Sequence, residues 1–150
     1  MEHRHMLGRA SCGFTLIEML CALAIAGILS GIAYPSYAHV VYKVRRSEAQ
    51  VALLAAQLAQ ERFRSDHSAY GTLADLRLTS TTSQGHYVLS VLSNTDAGFE
   101  LLASAQGAQV ADATCRHMKL AANSGTVTYA SGPDANTANS ASVNRQCWGI

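Results

Sequence analysis

Apolar residues fall along this chain in three regimes, and each predicts a different kind of element. Residues 14–33 form one run, FTLIEMLCALAIAGILSGIA, whose only charge is Glu18. From 36 to about 64 the apolar positions recur at helical spacing, with Val44, Val51, Leu54 and Leu58 as a stripe and Ala52, Ala55 and Ala59 beside it. Arg46, Glu48, Gln50, Gln57, Gln60 and Glu61 supply the polar positions, so this stripe is the expected core face of a half-buried helix packed on a sheet. Beyond a connector at 65–85, with Gly71 and a Thr/Ser-rich stretch at 79–83, strands are expected at 86–92 and 99–103. Residues 94–98 between them read as a hairpin turn. A second pair is expected at 117–122 and 126–129, turning at Asn123, Ser124 and Gly125. The tail, 131–150, is turn-rich and poor in large apolar residues, and would be ordered only if tied down. The predicted class is α+β: a long N-terminal helix packed on an antiparallel sheet of about four strands.

The first run has the length of a membrane span, since twenty residues at 1.5 Å rise cover roughly 30 Å. Gly27 and Gly31 weaken the helix, and Pro35 removes a backbone donor, so a bend is expected at Pro35. Helical patterning resumes at once, giving one kinked helix of about 50 residues, or roughly 75 Å; the bland alternative is that Pro35 ends the helix. The chain therefore divides into a leader at 1–13, a membrane or filament-core helix at 14–35 and a head at 36–150. A polar start carrying Arg4 and Arg9, followed by an apolar run, is an export signal of some kind. An ordinary secretory signal would be cut after the run, and Gly31, Ile32 and Ala33 offer such a site. Against that stand Glu18 and a run longer than the roughly 7–15 residues such signals use. A lipoprotein signal would need its cysteine after the run, whereas Cys12 precedes it. Retention of the helix leaves Glu18 as an intramembrane acid, costing about 2.5–3.5 kcal/mol at mid-bilayer and pointing to a functional partner.

Composition agrees with a hydrophobic spike carrying a small polar head. Of 150 residues, 49% are hydrophobic and only 14% charged, the latter well below an ordinary soluble domain. The net charge of +1 gives no electrostatic case for nucleic acid as the main partner. Lys43, Arg45 and Arg46 read as a solvated helix face. Cys12 lies in the leader and Cys21 in the apolar run, which leaves Cys115 and Cys147 as the couple for a disulfide in an exported head. Closing that loop is worth about 3–4 kcal/mol by chain entropy. Metal binding fails on spacing: there is no Cys-x-x-Cys, no His pair beside either cysteine, and His3 and His5 make no site. No nucleophile elbow, phosphate loop or carboxylate pair is present, so no enzyme and no cofactor is expected. His67, His86 and His117 read as surface or strand histidines.

Gly13, Phe14, Thr15, Leu16, Ile17 and Glu18, opening an apolar run near the N-terminus, resemble the processing motif of type IV prepilins. The resemblance implies cleavage after Gly13, N-methylation of the new terminal amine on Phe14, and a role for Glu18 in subunit assembly. It also implies the pilin fold, with a proline where Pro35 stands and a disulfide-bounded C-terminal region. Residues 111–115 and the ending at Cys147 and Trp148 resemble PilE-like minor pilins, more loosely. The implied function is a structural subunit of a type IV pilus, a minor pilin. Its partners would be other pilin subunits, a prepilin peptidase and an inner-membrane assembly platform. It would sit in the bacterial inner membrane before assembly and in the extracellular pilus afterwards. The physics of the motif is compatible: a buried amine on Phe14 needs an anion, and Glu18, one turn along, can serve its own amine or a neighbour's. Such a pair sets register more than it adds stability. Three other readings stay open: a type II secretion pseudopilin, a minor pilin whose head binds DNA through Arg77, Arg116, Lys119 and Arg145, and a soluble domain released after Ala33.

Overall fold

The computed structural model describes residues 13–138 and 140–150, with 34–36 described by backbone alone. It comprises two units, Met1–Ala38 and His39–Ile150, each taken by itself below. One helix, α1 (Leu16–Asp66), runs from the first into the second and is 51 residues long. The bend expected at Pro35 falls where side chains are not described, and the leader, apart from Gly13, lies outside the described residues.

In the first unit α1 starts where Thr15 can cap it. The Thr15 hydroxyl accepts a hydrogen bond from the Glu18 amide at 3.3 Å, satisfying one of the free donors of the first turn. From there the helix is apolar on every side, and none of its membrane-length apolar window is buried. A helix apolar all round with nothing covering it is built for a bilayer or for the company of like helices.

The second unit is a four-stranded antiparallel meander with α1 laid across one face. Its strands are β1 (Tyr87–Asn94), β2 (Gly98–Ala105), β3 (His117–Asn123) and β4 (Thr126–Gly132), in the order β1-β2-β3-β4. Two short 3-10 turns, Gly107–Ala111 and Ala113–Cys115, link β2 to β3. Strand alternation sends Tyr87 and Leu89, Phe99, Leu101 and Ala103, and Met118, Leu120 and Ala122 into one core with Ala49, Leu53 and Ala56 of α1. The β3–β4 hairpin closes through Ser124 and Gly125, at φ 48° and 81°, the left-handed pair that a two-residue turn requires. At the other hairpin Gly98 cannot be replaced without strain, because a Cβ there would collide with the Ala122 carbonyl.

One expectation is corrected here. The stripe Val44, Val51, Leu54 and Leu58 does not face the core: all four are exposed, Val51 at 67%. The core face is Ala49, Leu53, Ala56 and Gln60, continuing to Arg46, with the same 3–4 spacing on the opposite side of the helix. Two of the three apolar residues on that face are alanines, which hydrophobicity alone ranks below the valines and leucines of the stripe. The tail, which would be ordered only if tied down, meets that condition. It forms a short helix, α2 (Ala141–Cys147), and is fastened by the Cys115–Cys147 disulfide. The Asn144 amide donates to the Tyr129 carbonyl at 2.8 Å, and the Trp148 indole donates to the Ala130 carbonyl at 3.2 Å.

Candidate functional site

The assembly residues expected from the sequence lie together at the start of α1, and their surroundings are open. Phe14 is 79% exposed, and Leu16, Ile17, Met19, Leu20 and Leu23 are exposed beside it. The Glu18 carboxylate has no ion pair or hydrogen bond among the described residues, while its own amide is taken up by Thr15. Thr15 and Glu18 have the spacing of a capping box, in which the acid would reach back to the Thr15 amide. That return bond is not made, so the carboxylate is left for a partner elsewhere. The Thr15 cap was missed in the sequence, although Ser/Thr three residues before Glu at a helix start is its signal.

In the second unit the chemistry concentrates on Arg46. The reading of Lys43, Arg45 and Arg46 as a solvated face holds for Lys43 but fails for Arg46, which is 3% exposed. Its guanidinium grips Asp112 with two bonds, Nε to Oδ2 at 2.6 Å and Nη2 to Oδ1 at 2.7 Å. The remaining Nη1 donates to the Gln146 carbonyl at 2.8 Å. Planar, two-pronged pairing of this kind suits arginine and not lysine. Gln109 extends the network, donating to Asp112 Oδ2 at 3.1 Å and to the Tyr87 hydroxyl at 3.0 Å. Burial, reinforced by the Asp112 charge, pushes the Tyr87 phenol up to about 12 despite its bond to Gln109. Gln50 donates to the Cys147 carbonyl at 2.9 Å, so two side chains of α1 hold the segment that the disulfide also holds.

A second polar contact joins α1 to the approach to β1. Glu48 accepts from the Gln84 amide at 2.7 Å and lies 2.8 Å from the His86 ring nitrogen. Burial alone would raise the Glu48 carboxyl; hydrogen bonds from Thr82, Gln84 and His86, with the His86 charge, outweigh it and hold the carboxyl below its ordinary value. His117 meets the Ser104 hydroxyl at 3.0 Å, and burial, helped by the Arg116 charge, pulls its ring below the usual histidine range. His67 stacks on Phe63 at the exposed end of α1. Among the described residues no group of three or more His, Cys, Asp or Glu could hold a metal.

The four cations considered for DNA sit on four different stretches of chain. Arg77 is in the connector before β1, Arg116 precedes β3, Lys119 is on β3 and Arg145 is on α2. Arg116 donates to the Val110 and Pro133 carbonyls, and Lys119 is 3.8 Å from Glu100.

Replacing Asp112 with Asn leaves Arg46 buried and unmatched, and is expected to cost about 3–5 kcal/mol in denaturant unfolding. The double change Arg46→Met and Asp112→Leu should cost much less, because no charge is then stranded. Glu48 supplies a pH signature. A carboxyl lowered in the folded state contributes stability that is complete above its unfolded value of 4.5 and is lost as pH falls through the folded value. Denaturant midpoints should therefore decline between about pH 5 and 3 more steeply in the wild type than in Glu48→Gln.

Comparison with known proteins gives two family matches. A family profile described as type IV minor pilin ComP, DNA uptake sequence receptor, matches residues 35–119. Another, described as the prokaryotic N-terminal methylation motif, matches residues 8–34. Among curated relatives, the type IV major pilin protein PilA of Myxococcus xanthus (strain DK1622) is 40% identical over 63 residues, which is 42% of this chain and 29% of that protein. The fimbrial protein EcpC of Eikenella corrodens is 34% identical over 87 residues, 58% of this chain and 57% of that one. The matched regions thus span less than two thirds of either relative.

Proposed function

We propose that this chain, which belongs to the type IV minor pilin ComP family, is a type IV pilus subunit that enters the filament through the chemistry of its first five helical and pre-helical residues. A prepilin peptidase cuts between Gly13 and Phe14 and methylates the Phe14 amine. The helix then waits in the inner membrane, and an assembly platform delivers it to the base of the fibre. Glu18 pairs with the terminal amine of a neighbouring subunit, and the apolar helix packs with others in the filament core before the head reaches the cell exterior. The protein's task is assembly and not turnover.

The observation that carries this reading is the apolar surface that α1 leaves uncovered. Its membrane-length window is unburied, and in the head half Val40, Val44, Val51, Leu54 and Leu58, spaced by four, seven, three and four residues, form an exposed stripe on one side of the helix. Exposed apolar area on that scale marks an interaction surface. A carboxylate without a partner at the head of the same helix supplies the register.

The intact mass of mature protein from cells containing the peptidase should correspond to a chain that starts at N-methylated Phe14. Glu18→Val should be processed identically and yet be absent from sheared pili. A chain starting at Tyr34, or a Glu18→Val subunit incorporated at wild-type levels, would refute the proposed route.

A second reading, a head that also binds DNA, is favoured by the DNA uptake sequence receptor description of the family profile. Arg77 and Arg145 have no ion pair among the described contacts, and Lys119 is only half shielded by Glu100 at 3.8 Å. If the head binds DNA through this set, Arg116→Ala with Lys119→Ala should weaken duplex binding and reduce the salt dependence by about one unit of slope per lost phosphate contact. An unchanged affinity would remove the reading.

A further inference from the structure

Between α1 and the C-terminal segment lies an open cleft of about 530 Å³, lined among others by His39, Lys43, Gln50, Arg145, Gln146 and Trp148. Arg46 also reaches it, but its charge is matched by Asp112. Lys43 and Arg145 are different. Both are exposed, and neither has an ion pair or hydrogen bond among the described residues. No Asp or Glu is among the described residues that line the cleft. Two permanent cations and an imidazole therefore converge on one concavity with no anion to answer them. The walls hold that arrangement in place: Gln50 and Arg46 bind the carbonyls of Cys147 and Gln146, and the disulfide anchors the same strand of chain.

We infer that this cleft takes the phosphate of an anionic phospholipid headgroup while the subunit is held in the membrane, an inference that rests on retention of the 14–33 helix proposed above. Chain connectivity limits how far Lys43 can lie from the end of the span. Lys43 follows the end of the apolar run at Ala33 by ten residues, and cations just outside a span are the groups that read anionic lipid. The shape of the site favours a headgroup over nucleic acid. A duplex presents a phosphate about every 1.7 Å along its axis and is met by a stripe of cations, whereas two cations facing into a cleft suit one phosphate group. Headgroup binding would fix the head's rotation about the span before assembly. Extraction into the fibre, away from lipid, would then vacate the cleft.

Native mass spectrometry of the full chain purified in a neutral detergent tests this, because intact mass and lipid adducts are read from one spectrum. Phosphatidylglycerol and phosphatidylcholine with identical acyl chains are offered at equal concentration. Phosphatidylglycerol should be retained preferentially, and Lys43→Ala with Arg145→Ala should lower its affinity about thirtyfold while leaving phosphatidylcholine unaffected. Equal retention of the two lipids, or phosphatidylglycerol binding unchanged in the double variant, would overturn the inference. So would displacement of the lipid by an equal concentration of inorganic phosphate, which would mark a simple ion site. A DNA duplex that binds through Lys43 and Arg145 where phosphatidylglycerol does not would reassign the cleft to nucleic acid. The chain mass in the same spectra shows separately whether the protein starts at Phe14, so failure of the processing route and failure of lipid binding are distinguishable.

Discussion

The head depends on one buried charge being matched where it lies. Taking the Arg46 guanidinium out of water costs several kcal/mol, and that cost is offset only if its donors find acceptors in good geometry. Asp112 supplies both oxygens and the Gln146 carbonyl a third acceptor, so three stretches of chain must meet before the penalty is relieved. The disulfide closes the same triangle covalently, since Cys115 lies three residues after Asp112 and Cys147 directly follows Gln146. A buried ion pair is weak evidence for net stability but can fix a single arrangement. Here it sets which turn of α1 faces the loop before β3. Any slip of the helix along the sheet would strand the arginine.

The same helix carries two opposed faces with different tasks. Inward it offers Ala49, Leu53 and Ala56, flanked by the polar anchors Arg46 and Gln60. Gln60 behaves as a strand substitute, accepting from the Gly71 amide at 2.8 Å and donating to the Gly71 carbonyl at 2.7 Å. Outward it offers larger β-branched and leucine side chains that nothing in the subunit covers. Such a surface would drive aggregation in a free soluble protein. On the route proposed above, in which the helix passes from lipid to other helices, such a surface is tolerable.

How much of this could be read from the sequence follows the range of the interactions. The processing motif, the apolar span and both hairpins are local patterns, and all were legible. The position of Gly125 between short alternating runs was enough to locate the second hairpin, because only a left-handed residue makes so tight a turn. The disulfide was legible by elimination among four cysteines. Arg46 was not, because nothing within a helical turn of it announces that Asp112 will arrive across the fold. The core face of α1 was misread for a related reason. Hydropathy ranks Val and Leu above Ala, but packing against a sheet is decided by how closely two backbones approach. The exposed stripe was correctly seen as apolar and wrongly assigned an intramolecular partner. Helix α2 was missed because its seven residues carry little apolar content and are held mainly by bonds to β4 and α1.

A subunit that polymerises as proposed above must also be kept from polymerising in the wrong way, and the sheet bears on this. An antiparallel meander leaves two edges, each a row of unpaired backbone groups ready to add a strand from another copy. In a fibre, where copies are crowded, edge pairing would compete with helix packing. Both edges are partly occupied from within the chain. At β1 the Leu89 amide donates to the Ser80 carbonyl at 2.6 Å and Thr82 bridges to Tyr87, so the connector itself acts as a short extra strand. At β4 the Asn144 amide takes the Tyr129 carbonyl, the Trp148 indole takes that of Ala130, and Ser131 is bridged by Ala138. The segment pinned by Arg46 and the disulfide is therefore also the segment that blunts the β4 edge. Matching one buried charge thus has a consequence beyond the fold of a single head. It holds in place the cover of the β4 edge, while the apolar stripe of α1 stays exposed for the packing proposed above.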